Sequence, residues 1–294
     1  MAILVDEKTK VLIQGITGNV GRGFAERMKA GGTKVVAGVT PGKGGQRLFD
    51  IPIFDSVEDA LSATDANTSF LVVPAPFVRD AAIEALSAGV KKLIIYTEGV
   101  PVHDAIRMIS YAKIRNATLV GPNSAGVVSP GKANVSDLSD RILSEGSVGI
   151  VSKSGTITYE VIDGLNELRL GQSTVVCLGG DPVLGTTYVD ALKLFEADQQ
   201  TRFVVLIGEI GGMAEVNAAD CINKMRKPVI AYIAGQAAPP GKRIGHAGAI
   251  ITRGKDTAGA KMEALKDAGA IVAQQLADIR DLARRTVESR SDGK

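Results

Sequence analysis

Two histidines occur in 294 residues, and their settings differ. His246 sits in Gly241-Lys-Arg-Ile-Gly-His-Ala-Gly-Ala249, where small neighbours leave nothing local to screen the ring from a ligand. His103 lies early in an amphipathic helical pattern among polar residues and reads as a surface group. A lone loop histidine is often inert. Neutral imidazole becomes a nucleophile toward phosphorus when one ring nitrogen is free and an acceptor orients the other. Glu209, in Gly208-Glu-Ile-Gly-Gly212 after a strand-like run, is a carboxylate suited to that orienting role. The negative charge gained on phosphorylation then calls for a helix N-terminus. Ser152-Lys-Ser-Gly-Thr156 supplies one, placing Ser154, Gly155 and Thr156 between a strand and a helix expected from near Thr158. Plain N-capping explains the same hydroxyls equally simply. Gly179-Gly-Asp-Pro182 brings Asp181 to the same rim, and either carboxylate also has a reading as a helix cap. A Ser–His–Asp hydrolase is set aside because Ser154 lies outside a G-x-S-x-G elbow.

A second cluster lies near the start of the chain. Gln14-Gly-Ile-Thr-Gly-Asn-Val-Gly21 links a strand to a helix, so backbone N–H groups and a helix N-terminus stand where a pyrophosphate would sit. The spacing is G-x-x-G-x-x-G, and a merely tight turn would use similar residues. A dinucleotide site wants an acid at the end of the second strand, yet Gly38-Val-Thr-Pro-Gly-Lys-Gly-Gly45 has none and offers Lys43. That disfavours NAD and suits a further phosphate of a CoA-like ligand, although a single loop lysine is usually just solvated. Val73-Pro-Ala-Pro-Phe77 and Tyr96-Thr-Glu-Gly-Val-Pro101 are further strand-turn-helix segments able to close over the same ligand, with prolines that are also favoured near helix starts.

The elements that must hold these loops alternate. Short β-branched runs at Val11–Ile13, Val35–Ala37, Ser69–Val73, Leu93–Ile95 and Thr118–Val120 are separated by helical patterns, the first from about Gly21. A second series runs through 148–152, 174–178, 203–207, 229–233 and 271–272. Such alternation predicts parallel sheets with crossover helices. The fold class is therefore α/β with two doubly wound parallel-sheet domains, residues 1–126 and 146–294. The Pro/Gly- and Ser/Asp-rich stretch 127–145 between them is expected to be a linker. Ligands in this architecture bind beyond the carboxyl ends of strands, where most of the conspicuous loops lie.

Bulk composition narrows the class. Lys plus Arg (34) nearly balances Asp plus Glu (32), so the net charge of +2 leaves no footprint for nucleic acid. No apolar run approaches a membrane span, and the acidic Asp6-Glu7 interrupts any signal-like start, so a cytoplasmic protein is expected. Cys177 and Cys221 are far from any metal or redox spacing; both read as buried thiols, and no metal site is expected on this chain.

In this setting the chain resembles a known family, the alpha subunits of nucleoside-diphosphate-forming succinate–CoA ligases and their malate–CoA relatives. The resemblance rests on Thr9–Gly18, Val36–Gly45, Thr97-Glu-Gly99, Gly121-Pro-Asn123, Gly149–Thr156 with Thr158-Tyr-Glu160, Gly179–Pro182, Ile207–Gly212 and Gly241–Ile251, in order and at near-family spacing. It implies a Rossmann-like CoA-binding domain followed by a flavodoxin-like ligase domain. CoA would be held by Thr17, Gly18, Asn19, Val20, Lys43, Tyr96, Thr97 and Glu98. His246 would be phosphorylated with Glu209 supporting its ring, and Ser154, Gly155, Thr156, Tyr159, Asn123 and Ser124 would meet phosphate or substrate. A separate beta subunit with an ATP-grasp domain, in a heterodimer or heterotetramer, would bind ATP or GTP with magnesium, and the acid would be a short dicarboxylate, succinate by default. The pattern departs at Asn123-Ser-Ala-Gly126, where the family usually has Asn-Cys-Pro-Gly, and at 135–140, where it usually carries a Pro-Gly-His turn. It departs again at Gly23-Phe-Ala25, in place of an aromatic–His pair, and at Lys153, where Arg is common. Malate stays open as the acid, with Ser124 offering a hydroxyl to a more oxygenated substrate. A non-catalytic CoA-binding regulator stays open as the alternative to an enzyme.

Overall fold

The computed structural model describes residues 2–237, 245–250, 254 and 256–291. The first sheet contains β1 (Lys10–Gln14), β2 (Lys34–Val39), β3 (Arg47–Leu48), β4 (Ile51–Phe54), β5 (Thr68–Leu71), β6 (Lys92–Ile95) and β7 (Thr118–Val120), in the order β3-β4-β2-β1-β5-β6-β7. Only the short β3–β4 pair is antiparallel. Numbered among themselves, the parallel strands run 3-2-1-4-5-6, the Rossmann order, reversing direction between β1 and β5. Helices α1 (Asn19–Ala30), α2 (Val57–Ala63), α3 (Ala75–Ser87) and α4 (Val102–Ile114) cover the faces. Because both faces are covered, the central strands are buried along their length; every residue of β5 is buried, Thr68 and Ser69 included.

The second sheet contains β8 (Gly126–Ser129), β9 (Ala133–Ser136), β10 (Glu145–Ser152), β11 (Gln172–Cys177), β12 (Phe203–Glu209), β13 (Val229–Ala234) and β14 (Ile271–Val272), in the order β14-β13-β12-β10-β11-β8-β9. Its parallel strands follow the flavodoxin-like order 2-1-3-4-5 and reverse between β10 and β12. Helices α5 (Gly155–Glu167), α6 (Tyr188–Ala197), α7 (Ala214–Ile222), α8 (Ala258–Asp267) and α9 (Asp278–Ser291) complete this half. Among the described residues no helix is long and apolar enough to cross a membrane.

The stretch 127–145, expected as a linker, instead contributes two strands to the second sheet. β8 and β9 form an antiparallel hairpin, and β8 also pairs antiparallel with β11. The Pro130-Gly131 pair that suggested a flexible connection is the hairpin turn: Gly131 has φ +74°, and the Lys132 N–H closes onto the Ser129 carbonyl at 3.0 Å. Val127, Val128 and Val135 are fully buried beneath the polar turn residues. Two helices also start earlier than the sequence suggests, α1 at Asn19 and α5 at Gly155.

The two halves share one apolar core that runs from Ile13, Phe24 and Phe70 to Val127, Val151 and Tyr188. Polar contacts bolt them together. The Thr33 hydroxyl accepts from the Asn134 N–H at 2.8 Å and donates to its carbonyl at 3.3 Å. Ser129 Oγ donates to the Val5 carbonyl at 2.8 Å, which fastens the N-terminal segment across the second sheet.

Candidate functional site

The expected second-domain residues converge at the β10/β12 reversal, where the crossovers diverge and leave a crevice. Glu209 ends β12, and Lys153 and Ser154 follow β10. The His246 ring lies over them, with Nδ1 2.7 Å from Glu209 Oε2. An ionised carboxylate only accepts, so Nδ1 carries the proton and Nε2 keeps its lone pair when the ring is neutral. The Glu209 bond raises the affinity of the ring for a second proton; burial and the Lys153 charge act against it. The side chain of His246 is about one-third exposed at 32%, whereas that of Glu209 is 11% exposed. Part of the His246 loop, residues 241–244, lies outside the described residues, as does Ile251.

A cleft of about 690 Å³ between the two halves is lined by His246, Lys153, Ser154, Gly155, Thr156, Tyr159, Asn123, Ser124, Tyr96 and Glu98, together with Asp137 and Glu160. Ser154 caps α5, its hydroxyl accepting from the Ile157 N–H at 3.3 Å, so the capping reading holds while Gly155 and Thr156 still present the helix start to the cleft. Asn123 donates from Nδ2 to Asp181 Oδ1 at 3.0 Å and so joins the two halves at the rim. Tyr159 donates to the Asp137 carbonyl at 2.8 Å and accepts from the Ser139 N–H at 3.1 Å, which holds the segment after β9 against α5. Tyr96 stands edge-on to Phe24, with ring centroids 4.8 Å apart. Ser124 borders the cleft but is 1% exposed; its proton goes to the Cys177 carbonyl, and its oxygen accepts from the Gly126 N–H at 2.9 Å. That hydroxyl is engaged inside the protein.

The first-domain loop lies at the other reversal. Thr17, Gly18, Asn19 and Val20 wall a cavity of about 790 Å³ together with Thr40, Pro41, Val73, Pro74 and Phe77. α1 begins after Gly18 with no side-chain cap, leaving its first N–H groups for a ligand. Gly21 is required by close approach, since a Cβ there would lie 2.2 Å from the Gly15 carbonyl oxygen. Lys43 is exposed in the loop after β2, the loop whose Thr40 and Pro41 form the cavity wall. The Thr97 hydroxyl donates to the Val73 carbonyl at 2.7 Å, tying the loops after β5 and β6 together. Pro76 lies in the first turn of α3 and Pro101 stands at the N-cap position of α4, as the structural explanation of those prolines expects.

Some site residues gave no signal in the sequence. Lys261, from the middle of α8, is fully buried and donates to the carbonyls of Glu209 at 2.7 Å and Gly211 at 2.6 Å, and to the Glu215 carboxylate. Glu215 also accepts at 3.3 Å from the Glu209 N–H. Gly180 passes under the imidazole, where a Cβ would sit 2.3 Å from His246 Cγ. Lys261 and Glu215 occupy ordinary positions in helical patterns, so only their meeting in space reveals them. His103 is exposed, as expected. Cys177 is buried, its thiol pushed up to about 12 by burial, while Cys221 is only half-buried.

Comparisons with known proteins converge on the same assignment. Residues 6–99 match the family described as CoA binding domain, and residues 151–271 match that described as CoA-ligase. Succinate–CoA ligase (ADP-forming) subunit alpha 2 of Archaeoglobus fulgidus is 52% identical, covering 96% of this chain and 98% of its own. The corresponding alpha subunits of Aquifex aeolicus and Staphylococcus epidermidis are 52% and 47% identical, covering 95% of this chain and 92% and 93% of theirs. Among solved structures, ATP citrate lyase of Methanosaeta concilii bound to (3S)-citryl-CoA superposes with a TM-score of 0.89 at 24% identity. That match covers 98% of this chain and 51% of the lyase, a likeness of fold in which this chain spans about half of the longer protein. With two family matches on the two halves and near-full-length identity of about half, the chain belongs to the succinate–CoA ligase alpha-subunit family.

Proposed function

We propose that the chain is the phosphoryl-carrying, CoA-binding half of an NDP-forming acid–CoA ligase, with succinate as the acid. The observation that carries this reading is the His246 ring, bonded through Nδ1 to the buried Glu209 and bordering the cleft beside the start of α5. The Nε2 lone pair attacks the terminal phosphorus of the NTP; an N–P bond forms, and the P–O bond to the departing NDP breaks with its electron pair. A carboxylate oxygen of the acid then attacks phosphorus, and the N–P electrons return to Nε2. The CoA sulfur attacks the acyl phosphate, a C–S bond forms, and phosphate leaves with the C–O electrons while the thiol proton is released. Splitting the condensation in this way replaces one difficult step by easier ones. The Gly155–Thr156 helix start stabilises the transferring charge, and the Glu209 carboxylate holds the ring orientation throughout.

The cavity at Thr17–Val20 suits the phosphates of CoA, with a bare helix start and an apolar wall at Val73 and Phe77. Tyr96 and Glu98, on the neighbouring loop, border the cleft that contains His246, so a ligand reaching from one cavity to the other brings its thiol end toward the ring. The NTP and its magnesium belong on an ATP-grasp beta subunit, in a heterodimer or heterotetramer, and the ADP-forming names of the relatives favour ATP over GTP. The Ser124 hydroxyl is engaged within the protein, and the names of the relatives favour succinate as the dicarboxylate. Two unpaired thiols fit a reducing, cytoplasmic compartment.

Incubating the purified complex with γ-labelled NTP tests the reading. A label on this chain that is stable in base and lost in acid is expected, and His246→Asn should abolish it. Label that persists on the variant refutes the assignment.

A further inference from the structure

Two buried lysines lie beneath His246 that the reaction as written leaves unused. The donors of Lys261 are directed at two carbonyls and the Glu215 carboxylate, which makes it a pin between α8 and the end of β12. Lys153 is different. It is 9% exposed, with Nζ 3.4 Å from Glu215 Oε1 and 4.0 Å from Glu209 Oε1. Among the described residues nothing donates a hydrogen bond to Glu209 Oε1, whereas Oε2 of the same carboxylate accepts from His246. A buried cation therefore faces the free oxygen of the group that orients the nucleophile.

The charge count around the ring gives this arrangement a consequence. Lys153 and Lys261 offset Glu209 and Glu215, and Asp181 adds a further carboxylate facing the ring. Removing the Lys153 charge leaves these carboxylates less balanced and makes a second proton on the ring more favourable. Protonated imidazole has no lone pair for phosphorus.

We propose that Lys153 is a positioning residue for phosphoryl transfer at His246, its ammonium holding Glu209 in place while keeping the ring in the neutral form that attacks phosphorus. The inference rests on the phosphohistidine reading. Among the described residues the charged groups facing the ring are Glu209 from the end of β12, Lys153 from the end of β10 and Asp181 from the loop after β11, with Glu215 of α7 and Lys261 of α8 behind them. Glu209 and Asp181 favour the second proton and Lys153 opposes it.

The chain has only His103 and His246, so ¹⁵N-histidine labelling of the full-length chain resolves both imidazoles, with the exposed His103 as internal reference. Lys153→Gln keeps a hydrogen-bond donor and removes the charge; His246 should then titrate about one pH unit higher. Glu215→Gln, isosteric and still an acceptor for Lys261, should shift the titration downward, and Lys153→Arg should titrate as the wild type does. In the complex with its partner subunit, Lys153→Gln should slow phosphorylation about tenfold on the acid side and recover as pH rises, a profile that a purely structural defect would not produce. Should Lys153→Gln fail to fold, the direction of the Glu215→Gln shift decides. Identical His246 titration in the wild type and the folded charge variants overturns the proposal. Absence of phosphohistidine from the wild-type complex refutes the underlying reading instead and leaves the titration result standing.

Discussion

At His246 the influences on the ring have opposite signs, and the direction of the balance makes a prediction. The Glu209 bond holds the proton affinity above the ordinary imidazole value of 6.5 despite burial and Lys153. The nucleophilic form is the neutral one, so phosphorylation should fall as pH drops, with an acid limb displaced above 6.5 in a pH–rate profile. Glu209→Gln should move that limb to lower pH and cut the rate by about 10² or more, because a neutral amide orients and supports the ring less well. The same raised value has a stability sign. The protonated pair contributes stability that is fully present below 6.5 and is lost as pH rises through the higher folded value, which denaturant titrations across that window can measure. The His246–Glu209 pairing was legible because both residues sit in glycine-rich loops after strand-like runs. Lys153 was seen only as part of an anion-binding turn, and Lys261 and Glu215 were invisible, because nothing in a helical pattern marks which buried face meets a charge from elsewhere.

Elements set how closely those residues approach. The loop after β11 runs under the imidazole at Gly180, whose carbonyl accepts from the Gly248 N–H at 3.1 Å. A methyl group there would fall 2.3 Å from His246 Cγ and 2.7 Å from Nδ1, so Gly180→Ala should push the ring away from Glu209. The expected result is a loss of phosphorylation of about 10² or more with the fold retained, measured by label incorporation beside circular dichroism. Parallel strands and their helices were readable from apolar runs, since burial on both faces removes the polar alternation. The β8–β9 hairpin was not, because its turn chemistry, Ser129-Pro-Gly-Lys132, is also what a flexible connection would use. Pairing with β11, a contact remote in the chain, is what decides between the two.

Across the whole molecule, the halves are joined by a continuous core and by hydrogen bonds that leave little freedom between them. Thr33→Val removes both partners of the buried Asn134 backbone and should cost roughly 1–3 kcal/mol. A melting temperature lower by roughly 2–6 °C, still in a single calorimetric transition, is the expected outcome; two separated transitions would show the halves unfolding independently. The order of apolar runs, turn residues and glycine loops was enough to specify two doubly wound sheets and the strand ends that carry ligand loops, because those features depend on neighbours within a few residues; the histidine and the glutamate were each marked by their own glycine-rich loops, although their meeting spans 37 residues. Three outcomes awaited the folded chain: the hairpin that turns an apparent linker into sheet, the engagement of Ser124, and the four-charge cluster beneath His246. Each depends on a partner tens of residues away, such as the 53 that separate Ser124 and Cys177 and the 52 between Glu209 and Lys261, and such partners meet only when helices and strands pack.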